Sequence, residues 1–164
     1  MKYFLPLFFL GLPLLATSQD CKLISKTDVY TKERTLSTGF IPLEGGSLTI
    51  DASKAEIDML FSVSGADKCF TDASMAAIFF AGSKLKQTQR NGGSMNCEGL
   101  FHFIFRNGTT APVLLRKLAA QKVEKIVFTG NDKKETIVTL SPEQQQSLLD
   151  LSACMVKEAS SLLR

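Results

Sequence analysis

The sequence predicts an α+β domain: a mainly antiparallel, twisted sheet with a C-terminal helix packed on one of its faces. Two observations lead to this class. Apolar and polar residues alternate through the middle of the chain, which is the period of a strand with one buried face. The end of the chain instead begins with helix-capping residues and continues with apolar residues at helical spacing. No internal repeat or Pro/Ser-rich linker divides the chain, so we expect one domain.

The clearest strand signal is the segment in which Ile57, Met59 and Phe61 alternate with polar or less apolar neighbours. Residues 100–105 are apolar on both faces, which predicts a central strand covered on both sides. Residues 112–121 are ambiguous, and one interpretation is a strand followed by a short helical turn. The other segments predicted to be strands are residues 48–51, 75–81, 123–128 and 136–140, the last two as a hairpin.

The C-terminal helix is predicted from its first residues. Ser141 is a favourable N-cap, Pro142 suits the first helical position, and Gln144 completes a capping box. The apolar stripe that follows is centred on Leu148, Leu151, Met155, Ala159 and Leu162.

Residues 1–18 have the pattern of a secretory signal peptide. Lys2 precedes an apolar run, and the small residues Ala16 and Ser18 occupy the −3 and −1 positions of a cut before Gln19. A lipoprotein would need a small residue before Cys21, where this chain has Asp20. We therefore expect residues 19–164 to form a single secreted or periplasmic domain without a lipid anchor.

Four cysteines in an exported chain predict two disulfides. Their spacing leaves three connectivities open. We predict Cys69–Cys97, which closes the middle of the chain, together with Cys21–Cys154, which joins its ends. No C-x-x-C pair is present, so a zinc knuckle or a thioredoxin-type site is not indicated.

The charge balance gives no support for nucleic-acid binding. After loss of the signal peptide, 18 basic residues face 16 acidic ones, and this small excess does not favour phosphate backbones or anionic membranes. No second apolar segment is long enough to span a bilayer, so stable membrane insertion is not expected.

No catalytic constellation is evident in the sequence. His102 is the only histidine, and its position between two phenylalanines predicts a packed or partly exposed structural residue rather than a general base. Asp51, Glu56 and Asp58 are interpreted as carboxylates on solvent-facing positions, and no metal-binding spacing is present. Asn107-Gly108-Thr109 matches the N-glycosylation sequon in a turn context.

Phenylalanine is abundant, with 12 residues and no tryptophan. Ordinary core packing is the preferred explanation, and the alternative is a cavity for an apolar ligand. The residues that would line such a cavity are Phe61, Phe79, Phe80, Phe101, Phe103 and Phe105.

The spacing Cys21-x6-Asp28-x2-Thr31-x-Glu33, the segment Val-Glu-Lys-Ile-Val-Phe at residues 123–128, and a closing helix with Cys154 form a wider pattern. This pattern resembles small exported proteins of Bacteroidetes-type bacteria. The resemblance implies an α+β fold and a secreted or Gram-negative envelope location. It carries no catalytic or binding residues.

The function we expect is that of an exported, non-enzymatic protein that binds an unknown protein or small ligand without a cofactor. One alternative is a carrier of an apolar ligand in a phenylalanine-lined cavity. The other is a small secreted hydrolase or a hydrolase inhibitor, the inhibitor presenting a disulfide-braced loop within residues 88–98.

Overall fold

The computed structural model describes residues 21–65 and 68–163, and the predicted signal peptide lies outside these ranges. Ten strands and two α-helices occur in the described ranges, followed by a short 3-10 turn, Ser160–Leu163. In chain order the elements are β1 (Ile24–Thr27), β2 (Arg34–Ser37), β3 (Ile41–Leu43), β4 (Gly46–Ala52), β5 (Glu56–Val63), β6 (Met75–Phe80), β7 (Lys86–Arg90), β8 (Leu100–Arg106), α1 (Val113–Leu118), β9 (Val123–Thr129), β10 (Glu135–Thr139) and α2 (Pro142–Ala159).

The strands form two antiparallel sheets. The first has six strands in the order β1-β2-β4-β5-β8, with β3 also pairing β4, and the second has four in the order β10-β9-β6-β7. Together with the C-terminal helix they confirm the predicted α+β class. The predicted strand at residues 75–81 corresponds to β6, and the predicted hairpin corresponds to β9 and β10.

The hydrophobic core lies between the two sheets. Phe61 on β5 and Phe101 on β8 contact Phe128 on β9, with ring centroids 5.4 and 5.1 Å apart. Each of these rings lies on the buried face of its strand, because successive side chains of a strand point to opposite faces of the sheet. Since Phe128 belongs to the second sheet, the aromatic contacts join the sheets directly.

Helix α2 contacts β4 in the first sheet and β9 in the second. Its buried residues include Leu148 and Met155, which lie on the predicted stripe. The predicted capping box is confirmed: Ser141 Oγ accepts from the Gln144 backbone N–H, and Gln144 Oε1 accepts from the Ser141 N–H. These bonds satisfy backbone donors that the first turn of a helix otherwise leaves unpaired.

Two local predictions need correction. Residues 112–121 contain no strand; their regular element is α1, which buries Leu115 and Leu118. Strand β8 is at the end of the first sheet's order and not in its centre. Its outward residues Leu100, His102 and Ile104 are nevertheless half-buried, for a reason given below.

Within the described ranges, no helix combines the length and the apolar character needed to cross a membrane.

Candidate functional site

Five of the six phenylalanines proposed as a ligand lining are buried in the core. Three of the five, Phe61, Phe101 and Phe103, have rings that pack on one another and on Phe128, with centroids 4.8 Å apart for Phe61–Phe103 and 6.5 Å for Phe103–Phe128. Phe79 is the exception, because it alternates with buried Ile78 and Phe80 and so faces away from the core. The proposed lining is thus split between the core and an outer face, and a carrier function stays a prediction.

Both predicted disulfides are confirmed. Cys21 is bonded to Cys154 across 133 residues of chain, and Cys69 is bonded to Cys97 across 28. The first bond fixes the start of the described chain to α2. The second bond links two loops beside the bridge between Phe70 and Asn96. Two covalent links of this kind are typical of chains that fold in an oxidising compartment.

The disulfide at Cys97 lies in the segment that we considered as an inhibitor loop, residues 88–98. That segment begins in β7 and continues through Asn91, which is buried, whereas Ser94, Met95, Cys97 and Glu98 are exposed. Asn96 exchanges backbone hydrogen bonds with Phe70, and its side chain contacts the backbone at Leu100. Met95 is the large apolar side chain that this segment exposes.

His102 and Asp58 form a hydrogen-bonded pair on the outer face of the first sheet. His102 Nδ1 lies 2.8 Å from Asp58 Oδ2, and each side chain is about one quarter exposed, at 24% and 25%. The pair is diagonal, because the residue directly opposite His102 is Leu60. Asp58 is therefore a half-buried partner of the histidine rather than a fully solvated carboxylate.

The loop at residues 91–93 holds the histidine in place. Asn91 Oδ1 accepts from the backbone N–H of His102 at 2.8 Å, and the Gly92 N–H donates to the His102 carbonyl at 2.9 Å. A Cβ atom on Gly93 would overlap the imidazole ring, so the loop can approach this closely only with glycine there. The loop covers the free edge of β8 and explains why its outward residues are half-buried.

The His102–Asp58 pair supplies two members of a catalytic triad, and such a triad needs a nucleophile on the other ring nitrogen. Among the residues that the structure describes, no hydroxyl or thiol hydrogen-bonds His102 Nε2, and all four cysteines are in disulfides. The same ranges contain no group of three His, Cys, Asp or Glu residues arranged to hold a metal ion.

A second carboxylate lies next to this pair. Asp51 on β4 is directly opposite Asp58 on β5 in the antiparallel register. Like charges in this position repel each other. This repulsion between Asp51 and Asp58 is unfavourable for the folded state, and the hydrogen bond between Asp58 and His102 partly offsets it.

Asn107, the acceptor residue of the sequon, is buried at 7% exposure. Its Nδ2 donates to the carbonyls of Ser53 at 2.8 Å and Ala159 at 3.0 Å. The Ala159 carbonyl is at the C-terminal end of α2, where helical acceptors lack intrahelical partners. The side chain joins the β4–β5 turn to this helix, and Nδ2 is the atom that a glycan would occupy.

The turn between β1 and β2 exposes the side chain of Tyr30. Tyr30 is 90% exposed at its tip. Hydrogen bonds from the backbone N–H groups of Thr31 and Tyr30, at 2.7 and 2.8 Å, hold the pKa of the Asp28 carboxyl below its usual value. The turn is therefore ordered around the carboxylate of Asp28.

The second sheet has a regular outer face on the side away from the core. Strand register places its outward side chains in three rows across β10, β9, β6 and β7. The rows are Thr139, Lys125, Phe79, Lys86; then Ile137, Val127, Ala77, Thr88; then Glu135, Thr129, Met75, Arg90. We call these twelve residues the outer face.

The centre of the outer face is apolar. Ile137 is 58% exposed and Met75 is 39% exposed, while Ala77, Phe79 and Val127 are partly buried by their strand neighbours. An apolar patch with a polar rim on a folded domain is typical of an interaction site. Sequence reasoning missed this patch because its apolar residues lie on β6, β9 and β10, and only the strand pairing brings them side by side.

Positive charge dominates the rim of the outer face. Lys125 and Lys86 are both opposite Phe79, and Lys125 Nζ lies 5.0 Å from the centre of the phenylalanine ring. Arg90 forms a salt bridge with Asp72 at 3.5 Å, and both side chains are exposed. Glu135 is the one acidic residue among the twelve.

Comparisons with known proteins add no family to this description: no family model, curated protein or solved structure matches the chain.

Proposed function

We propose that this chain is an exported, non-enzymatic protein that binds a protein partner through the outer face of its second sheet. One observation carries the proposal: Ile137, on the edge strand β10, is more than half exposed at the end of an apolar row that continues through Val127 and Ala77 across three strands. Covering such a row removes apolar surface from water, which is the main driving force of protein association. The class of function remains the one that the sequence favours, a binding protein without a cofactor.

Export is the second part of the proposal. The pattern of residues 1–18 and the two disulfides both support a secreted or periplasmic location. The resemblance to exported proteins of Bacteroidetes-type bacteria agrees with it. Intact mass spectrometry of the exported protein is expected to show a chain that begins at Gln19 and carries two disulfides. A mass that retains residues 1–18 would contradict export by a cleaved signal peptide.

The binding proposal is tested with two matched variants, Ile137→Lys and Ile24→Lys. Ile24 is also a strand isoleucine and is 49% exposed, but it lies on β1 in the first sheet. Tagged mature protein would be incubated with envelope and culture-medium fractions, and bound proteins quantified by mass spectrometry. We expect a partner that the wild type and Ile24→Lys recover and Ile137→Lys loses by about tenfold or more, which corresponds to about 1.4 kcal/mol.

Equal recovery by all three proteins, or no recovery by any, would contradict the proposal. Native mass spectrometry of the same wild-type protein addresses the carrier alternative. Extra mass that leaves on denaturation would favour an apolar ligand in the core over a protein partner on the outer face.

A further inference from the structure

We infer that the partner segment seated on the outer face is an acidic amphipathic helix, an inference that rests on the proposed function. Three features of the outer face support it: the length of its apolar strip, the complete hydrogen bonding of its two central strands and its positive charge.

The length of the apolar strip suits a short helix. Met75, Ala77 and Phe79 lie on one side of β6 and span four residue steps, or roughly 13 Å at the rise of a strand. A helix covers that distance with about nine residues. Ala77 is the smallest of the three and is paired with Val127 on β9.

The backbone of the two central strands is already paired. Strand β6 is hydrogen-bonded to β9 and β7, and β9 is hydrogen-bonded to β6 and β10. A segment lying over them cannot gain main-chain hydrogen bonds by strand addition, as it would at a sheet edge. It must satisfy its own backbone, and a helix does this while presenting an apolar stripe.

The charge on the face selects an acidic partner. Lys86 and Lys125 flank Phe79, and in the described part of the chain neither has a carboxylate within salt-bridge distance. Carboxylates beside the helix's apolar stripe would meet these two ammonium groups, giving the complementarity that sets specificity at interfaces. A second copy of this chain would offer mainly like charge, because Glu135 is the one acid on its outer face.

The chain has no tryptophan, so a tryptophan in a peptide reports binding without background. The probe is an 18-residue synthetic helix with apolar residues at i, i+3, i+4 and i+7 positions, glutamates flanking them, and one tryptophan in the stripe. The comparison peptide has lysine at each glutamate. We expect the acidic peptide to bind the mature protein at least about tenfold more tightly than the basic one.

The protein variants test where the peptide binds. Lys86→Gln combined with Lys125→Gln is expected to weaken acidic-peptide binding about tenfold and to flatten its dependence on salt concentration. Lys26→Gln combined with Lys54→Gln removes two exposed lysines away from the outer face and is the matched control, expected to leave affinity unchanged. Ile137→Lys is expected to abolish binding.

Equal affinity for both peptides, no binding of the acidic peptide, or the same loss in the control pair would overturn the inference. Binding of the protein to phosphatidylglycerol vesicles in an Ile137-dependent manner would also overturn it, in favour of an anionic lipid surface. The two proposals fail separately. If Ile137-dependent partner capture survives neutralisation of Lys86 and Lys125, the acidic helix is wrong and the binding function stands; if no such capture occurs, the binding function itself fails.

Discussion

Asn107→Ala is the change for which the structure predicts the clearest loss of stability. The side chain is buried and donates two hydrogen bonds, one to the Ser53 carbonyl and one to the Ala159 carbonyl. Alanine removes both donors and leaves both acceptors in place. The bond to Ala159 is fully buried and the bond to Ser53 is partly buried, so the two losses differ in size.

A buried carbonyl left without its donor costs about 1–3 kcal/mol, and loss of an ordinary partly buried bond costs about 0.5–1.5 kcal/mol. We therefore expect the free energy of unfolding to fall by about 2–4 kcal/mol. For a domain of this size each kcal/mol lowers Tm by about 2–4 °C, so the expected decrease is roughly 5–15 °C.

Urea denaturation followed by circular dichroism measures this change directly, with both disulfides intact. Asn131→Ala is the control, because Asn131 is exposed and its side chain makes no hydrogen bond within the described ranges; its effect is expected within about 0.5 kcal/mol. A loss below about 0.5 kcal/mol for Asn107→Ala would refute the argument. The same geometry predicts that folded protein secreted from a glycosylating host carries no glycan on Asn107, as peptide mapping would show.

Three further predictions follow from the sheets and turns. Asp51→Asn removes the like charge opposite Asp58 and should raise the free energy of unfolding by about 0.2–1 kcal/mol, a gain that 1 M NaCl reduces. The pKa of Asp28 is lowered by backbone N–H bonds, so its contribution to stability is present above the unfolded pKa and is lost as pH falls through the lower folded value; an NMR titration should place its midpoint below 3.8. Gly93→Ala should cost about 1–3 kcal/mol because the new Cβ overlaps the imidazole ring, whereas Gly108→Ala, which meets no atom within 4 Å, should be nearly neutral in thermal unfolding.

A specific experimental outcome would contradict each of these three predictions. A destabilised Asp51→Asn protein would mean that the carboxylate has a favourable partner outweighing the repulsion. An ordinary titration midpoint for Asp28 would mean that the turn is not ordered around it in solution. Equal stability of the two glycine variants would show that the loop at residues 91–93 is displaced easily from the histidine.

The sequence was most informative where local chemistry decides the structure. The capping box at Ser141 and Gln144 needs only three residues of context, and it forms as predicted. The alternation of apolar and polar residues in β5 likewise identifies which of its residues are buried. The cysteine pairing also agreed, although sequence alone had left three connectivities open.

The structure went beyond the sequence where distant segments meet. Division of the strands into two sheets depends on pairings such as β6 with β9, and no local pattern identifies that partner. Strand β7 is polar and exposed on alternate residues, so only its position beside β6 marks it as a strand. Asn107 reads as a surface sequon because its turn context is visible in the sequence and its contact with Ala159 is not.

Strands β8 and β6 differ in how completely their second face is covered. Both carry apolar side chains on two faces, a pattern typical of strands covered on both sides. For β8 the second cover comes from the chain itself, since the loop at Gly92 and Gly93 packs on Ile104 and His102. For β6 the cover is partial: Lys125 lies over the ring of Phe79, while Met75 remains exposed, as does Ile137 on β10. The apolar composition of β6 is therefore satisfied only in part by this chain, and a bound acidic helix would supply the missing cover.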